Sequence, residues 1–471
     1  MKGIATLIAT HAGGEFILFL RNVVLARLLG PSDLGIATML AMSLRLLEMS
    51  TDCAVDRFLI QSRTGNNARL QSNAQGFLVA RGVVCGCLFA IAAIPVSWML
   101  GEPSAAYVLA CLGMVPVIKG FVHLDHKRSQ RDLSFHAAAL LEVTAGLAAL
   151  LMCVPAYAAF PDYRAAVLVI SAQAITLAVV SQFVAKRRYC IRFDRPLVRK
   201  MLGFGLPFAA NGLLMFAILQ GDRLIVAFSC SAETLGVFSV AAQFCLIPVL
   251  IISRVCNSYY LPLLSRHQRD LNAFRRHLVA GMTILGAVSA VFAIAFCGLG
   301  NWALKTIYGS AFAAPASLIG WLAVIQVLRL LRAMPSVAAV ALGNTRQPLV
   351  VNVVRSIALV GAAAAGFSGC ELSTIVAAGC VGELVAFCLA IALIHRDFAI
   401  PLGVWTPAGV TAFGGVIFGW IFAHHQDLTT NSQLLLACLA TLLVASQWKS
   451  YAVVYDTVSR RLDGVHQGIR I

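Results

Sequence analysis

The sequence predicts an all-α polytopic membrane protein, with about fourteen transmembrane helices in two pseudo-symmetric bundles. Three observations predict it. The 471 residues are 60% hydrophobic and 12% charged, with a mean hydropathy of +0.85, whereas a soluble domain carries about a quarter charged residues. So few charges cannot cover a water-facing surface, so the surface faces lipid. Continuous apolar runs rich in Ala, Leu, Val and Gly then recur along the chain, each about 20 residues, the length that crosses a bilayer core of about 30 Å. A barrel would need short alternating segments instead. Finally, one turn occurs twice. Ala26 to Ala37 aligns without a gap on Ala227 to Phe238, setting Leu34 on Leu235 and Gly35 on Gly236, 201 residues apart.

In order, the apolar segments fall near 4–29, 34–60, 75–100, 104–121, 134–160, 164–185, 201–229, 234–262, 278–300, 313–333, 349–369, 373–395, 403–424 and 433–455. The first resembles a signal peptide, but Glu15 and Arg21 interrupt it and no small-residue cleavage site follows, so it reads as an uncleaved helix. The longest polar connection between helices, Ala185 to Lys200, divides the chain. This gives an N-terminal bundle over 1–185, a linker over 186–200 and a C-terminal bundle over 201–395. Residues 396–471 add two helices and a tail.

The loops set the orientation. Even-numbered loops hold the basic residues, seven of them between Lys186 and Lys200, while odd-numbered loops are short and carry Asp33, Glu102, Asp162, Glu233, Glu371 and Asp427. The positive-inside rule puts both termini in the cytoplasm. The net charge of +16 is thus spread over many loops, whereas a nucleic-acid site would concentrate it on one face. The 14 cysteines lie mostly inside apolar runs, such as Cys85, Cys87 and Cys153, and read as small packing residues rather than metal ligands or a disulfide framework.

The two turns with Gly35 and Gly236, the Gly203-Phe204-Gly205-Leu206-Pro207 opening of the seventh helix and its Gly221-Asp222-Arg223-Leu224-Ile225 end resemble the bacterial polysaccharide flippases. These belong to the multidrug/oligosaccharidyl-lipid/polysaccharide exporter superfamily. The resemblance implies two bundles around a central cavity that opens alternately to either side of the bacterial inner membrane. It implies an undecaprenyl-diphosphate-linked oligosaccharide as substrate, serving O-antigen, capsule or exopolysaccharide synthesis. A polysaccharide polymerase and assembly proteins are the implied partners. The peptidoglycan-precursor flippase and the cation-coupled multidrug exporters of the same superfamily are alternatives.

Ionisable residues inside membrane helices are costly and usually face a cavity or a partner. In the second helix Arg45, Glu48, Asp52 and Asp56 lie within about 80° of one another, with Arg45 about 16 Å deep. Such a stripe either seals the bundle as ion pairs or lines a watery cavity. His11 and Glu15 share a face of the first helix. Asp222 and Arg223 are adjacent, so they point about 100° apart and need not pair. The 201-residue offset sets Asp222 on Arg21 and Arg223 on Asn22, so the fold repeats while the charges do not. Arg21, Arg45, Arg81, Arg223, Arg254, Arg329, Arg332 and Arg355 are candidate ligands of a diphosphate, whose oxygens guanidinium forks match; the other reading for such arginines is contact with the phosphates of the inner leaflet. Glu15, Glu48, Asp52, Glu142, Asp222 and Glu383 are candidates for gating or for carrying a coupling proton or sodium ion. No phosphate-cradling loop followed by Lys-Ser or Lys-Thr appears, and the external loops are too short for an active site. The expectation is a transporter, with no enzyme activity, cofactor or metal.

Overall fold

The computed structural model describes residues 2–410 except 63, 100–102, 132–133, 135, 345 and 407–408, together with 414 and 417. The expected thirteenth and fourteenth helices, 403–424 and 433–455, lie largely or wholly outside the described residues. Among those described there is helix and turn but no strand. Ten helices are long and apolar enough to cross a membrane, and Ala106–Gly120 forms a shorter apolar one. Contacts divide the chain into two compact units: residues up to Ser239 with Ile307–Phe312, and Val240–Thr306 with the chain from Ala313 onward.

In unit 1, α1 runs Lys2–Ser50 and joins the first two expected helices across a kink at Gly30 (φ 72°), with Pro31 following. The positive φ favours glycine, and proline starts the next turn well because its missing N–H is not needed there. The second expected helix breaks at Thr51–Ala54 before the short α2, Val55–Gln61. Next come α3 (Ala68–Met99), α4 (Ala106–Leu112), α5 (Met114–Gly120), α6 (Asp125–Arg131), α7 (His136–Ala159), α8 (Arg164–Val184) and α9 (Arg195–Ser229). The core gathers Leu40 and Leu44 of α1, Phe89 of α3, Leu109 of α4, Cys153 of α7 and Val169 of α8. Glycines hold α3 against α4 and α5: a Cβ on Gly86 would lie 2.8 Å from the Gly113 carbonyl, and one on Gly120 2.9 Å from that of Leu78.

Helices α3 and α9 both begin six or seven residues before their apolar cores. Hydropathy marks only the hydrocarbon span, and a helix continues through the headgroup layer on polar residues. The division by contacts passes through α10 (Ala232–Arg266), not through the 186–200 linker. The linker is itself strapped onto unit 1. Arg192 N–H donates to the Ser72 carbonyl (3.2 Å), and the Asp194 carboxylate accepts from Arg69 Nε (2.7 Å) and Asn73 Nδ2 (2.9 Å). Pro207, expected in the first turns of the seventh helix, instead lies well inside α9.

Unit 2 continues with α11 (Leu271–Tyr308), α12 (Ala316–Ala341), α13 (Arg346–Phe367) and α14 (Leu372–Phe398). What hydropathy marks as the longest external loop, Asn301 to Phe312, is mostly the end of α11. α14 packs on α13 through small side chains, with Ala386 and Ala390 against Val351. Leu328, Leu330, Leu331 and Met334 of α12 are fully enclosed.

Candidate functional site

Unit 1 contains a cavity of about 560 Å³ whose lining carries four acids and four bases. Its first wall is the end of α1, where Arg45, Glu48 and Met49 project before the helix stops. The break places Asp52 outside the helix, where its Oδ1 accepts the Ala54 N–H at 3.0 Å and Ala54 is left-handed (φ 46°). The periodic stripe read from the sequence therefore ends at Glu48. Asp52 and Asp56 still line the same cavity, but because the chain turns rather than because helix period continues. Arg81 from α3, Lys119 from α5, Lys127 from α6 and Glu142 from α7 complete the charged lining, and His126 of α6 also faces the cavity.

Most of these charges are held. Lys119 Nζ meets Glu48 Oε1 at 2.7 Å and Lys127 Nζ meets Asp56 Oδ2 at 3.3 Å. Arg81 donates to the Glu48 carbonyl (2.6 Å) and to Thr51 Oγ1 (3.2 Å), with Asp52 at 3.9 Å. Arg45 differs. It is exposed, and among the described residues it has neither an ion pair nor a hydrogen bond. A guanidinium standing in a cavity whose other cations are engaged is a site for an incoming anion.

Beside this cavity, α6 is fastened to the linker. Asp125 accepts from Arg128 Nε (2.7 Å) and from the Lys186 N–H (2.9 Å). Burial would raise the Asp125 carboxyl, but Arg128 and Lys186 reverse this and hold it below the usual carboxylate range. Burial, with Lys127 adding to it, pushes His126 down to about 4. It is therefore neutral near pH 7.

In unit 2, Arg329, Arg332 and Arg355 surround the buried Glu383. Arg329 Nε and Arg355 Nε each lie 2.6 Å from Oε1, and Arg332 NH2 lies 3.6 Å from Oε2. Glu383 is 2% exposed, and Arg332 also donates to Asn352 Oδ1 at 3.1 Å. A carboxylate enclosed by three guanidinium groups joins α12, α13 and α14.

None of the remaining predicted residues lines the cavity of unit 1. Arg21 bridges to α8 through Gln173 Oε1 (2.7 Å) and bonds to Asn22. Arg223 donates to Gln220 Oε1 (3.1 Å) and to the Ser239 carbonyl (3.5 Å), while Asp222 beside it is part-buried on α9. Arg254 is exposed on α10. The side chain of Glu15 lies outside the described residues. Sequence reasoning placed Lys127 in a cytoplasmic loop and Lys119 at the end of the 104–121 segment beside it, and missed both as cavity residues. The clue was the acidic stripe of the second helix, which needed more cations than Arg45 supplies.

Comparison with known proteins follows this geometry. The chain matches the family described as "Polysaccharide biosynthesis protein" over residues 24–316. It is 27% identical over 173 residues to the amylovoran biosynthesis protein AmsL of Erwinia amylovora, covering 37% of this chain and 45% of that one. It is 22% identical over 139 residues to the teichuronic acid biosynthesis protein TuaB of Bacillus subtilis, covering 30% and 29%. The chain thus spans less than half the length of these curated relatives. In fold it is similar to the lipid II flippase MurJ in an inward closed conformation, with a TM-score of 0.70 and 13% identity over 97% of this chain and 99% of the other. An inward-facing multidrug transporter of the MATE family gives 0.60 and 15% over 81% and 94%.

Proposed function

The chain belongs to the polysaccharide biosynthesis protein family, among the polysaccharide flippases of the multidrug/oligosaccharidyl-lipid/polysaccharide exporter superfamily, and from that premise we propose that it flips undecaprenyl-diphosphate-linked oligosaccharides. It is a multi-pass membrane protein that performs no bond chemistry and moves its substrate from the inner to the outer leaflet of the bacterial inner membrane, with both termini cytoplasmic. The observation that carries this reading is Arg45, a guanidinium exposed in a charged cavity with no partner among the described residues. A diphosphate is a dianion or more, and a guanidinium fork binds its oxygens bidentately. Glu142, in the second turn of α7 and lining the same cavity, is the proposed carrier of a coupling proton or sodium ion. Polymerase and assembly partners follow from the same reading.

The test is reconstitution of the chain in vesicles, following which side of the membrane a diphosphate-linked oligosaccharide occupies. Transfer that depends on Arg45 supports the proposal; movement of cationic drugs without lipid-linked sugar sinks it. A peptidoglycan precursor also carries a diphosphate, so Arg45 serves both substrates alike. Supplying each in turn separates them.

A further inference from the structure

The 186–200 linker carries seven basic residues against one acid, Asp194, and its backbone is pinned along its length. Besides the bonds of Arg192 and Asp194 to the start of α3, the Arg187 guanidinium donates to Gln71 Oε1 (3.0 Å) and to the Asn66 carbonyl (2.8 Å). Asp125 holds the Lys186 N–H at 2.9 Å, and the Arg187 carbonyl lies 3.0 Å from His123 Nε2. Gly76 lets the linker close on α3, since a Cβ there would collide with the Arg192 carbonyl. Asp194 is already taken by Arg69 and Asn73.

Helical period shows which side of α3 the linker crosses. Arg69, Ser72, Asn73 and Gly76 share one face, about 120° wide, with Val83, Val84, Ile91, Ile94 and Trp98. Those last five side chains are all exposed, and a long exposed apolar belt on a membrane helix faces lipid. Gly76 and Trp98 are about 33 Å apart along the helix, close to the bilayer core of about 30 Å. Tryptophan gathers at the membrane interface. With Trp98 at one interface the linker lies at the other, on the side that the basic loops mark as cytoplasmic.

Two kinds of side chain stand out from the linker at this level. Phe193 is 61% exposed and Ile191 43%. Arg192 and Arg195 are exposed too, and neither side chain makes a hydrogen bond or ion pair among the described residues. Guanidinium groups take phosphate oxygens bidentately, and apolar side chains at the edge of the hydrocarbon meet acyl chains. A phospholipid offers both, and one with a net negative headgroup also answers the linker's excess of positive charge. A flexible basic loop would lose freedom on holding a lipid. This backbone is already fixed, so less is lost.

We propose that the linker is a docking site for an anionic phospholipid of the cytoplasmic leaflet, with its phosphate on Arg192 and Arg195 and its acyl chains against Ile191, Phe193, Val83 and Val84. None of these six residues lines the charged cavity, so the site is independent of the transported substrate. The probes are phosphatidylglycerol and phosphatidylcholine with the same diazirine-bearing acyl chain, each added in trace to the purified full chain in phosphatidylcholine nanodiscs. Phosphatidylglycerol is expected to label Ile191–Arg195 or Leu78–Val84 about tenfold more than phosphatidylcholine does, equal to about 1.4 kcal/mol. Arg192→Gln with Arg195→Gln is expected to bring the two labels level. Arg266→Gln with Arg269→Gln, at exposed arginines of the α10–α11 connection, is expected to leave the ratio unchanged. Phosphatidylcholine label on Ile91–Trp98 reports whether a variant is folded, and if the double variant loses it the two single variants decide, each expected to lower the ratio about threefold. Equal labelling by the two lipids overturns the inference, as does a ratio unmoved in the folded Arg192 and Arg195 variants. A fall of the same size in the Arg266 and Arg269 variant would make the preference a matter of net charge and also overturns it. Loss of the label to added polyglutamate would give the surface to an acidic protein instead.

Discussion

Gly35 and Gly236 make one contact twice. A Cβ on Gly35 would collide with the carbonyl of Ala232, and a Cβ on Gly236 would collide with the carbonyl of Pro31. Pro31 and Ala232 are themselves related by the 201-residue offset that relates the two glycines. Each repeat therefore packs on the other in the same way, as a local two-fold axis requires. The missing side chains are what allow backbone to meet backbone.

Gly35→Ala and Gly236→Ala should each force that contact apart and cost about 1–3 kcal/mol, as overpacking does. Thermal melting of the purified protein measures it. Gly203→Ala is the comparison: nothing lies within 4 Å of its Cβ position on α9, so it should stabilise by up to about 1 kcal/mol. Equal losses at all three positions would show that the contact is not special.

Arg45→Ala should abolish most transport while leaving melting unchanged, because the side chain has no protein partner among the described residues to lose. Arg45→Lys keeps the charge without the fork and should recover only part of the activity. Full activity in Arg45→Ala would remove the anion contact from the proposal.

Glu383→Gln should be the most destabilising of these changes, by about 3–5 kcal/mol, since it leaves buried guanidinium groups without their carboxylate. Yield and melting temperature report it. A variant that melts normally and loses only transport would instead return Glu383 to the coupling role suggested by its mid-helix position.

Acid should weaken unit 1 in two stages. His126 has its folded pKa lowered from 6.5 to about 4, so folding favours its neutral form. That contribution is complete above about pH 6.5 and declines as pH falls towards 4, by up to about 3 kcal/mol. Asp125 and Asp194 also have lowered folded pKa values, Asp125 because Arg128 and Lys186 N–H outweigh burial, Asp194 through Arg69 and Asn73. Their contribution is present above the ordinary carboxylate value of 3.8 and is lost only below it. Melting temperature against pH should therefore fall between 6.5 and 4 in the native chain, and His126→Asn should remove most of that fall while leaving the part contributed by His123, which burial also lowers.

Glu142→Gln should slow transport without loosening the fold if Glu142 carries the coupling ion. Vesicles with an imposed proton or sodium gradient measure it, and a gradient response that survives the substitution excludes this residue.

Much of the cavity was legible in the chain. Arg45, Glu48, Asp52, Arg81 and Glu142 are all polar groups in apolar segments, and all five line one cavity, because a charge within a membrane helix has few other places to go. The pairings were not legible. Lys127 looked like an ordinary loop cation, and Lys119 like the last charge of an apolar segment, until α5 and α6 folded them onto Glu48 and Asp56. The break at Thr51–Ala54 was equally hidden, since neither proline nor glycine marks it.

By itself the sequence determined the membrane setting, the apolar segments, the turns and the 201-residue repeat. These follow from hydropathy and glycine placement, which act over one helix length. Only the tertiary structure decided that the glycines of the repeat meet each other, that Glu383 gathers three arginines, and that Arg45 stands exposed in the charged cavity. Such relations depend on which helices become neighbours, and a linear pattern carries no distance between segments far apart in the chain.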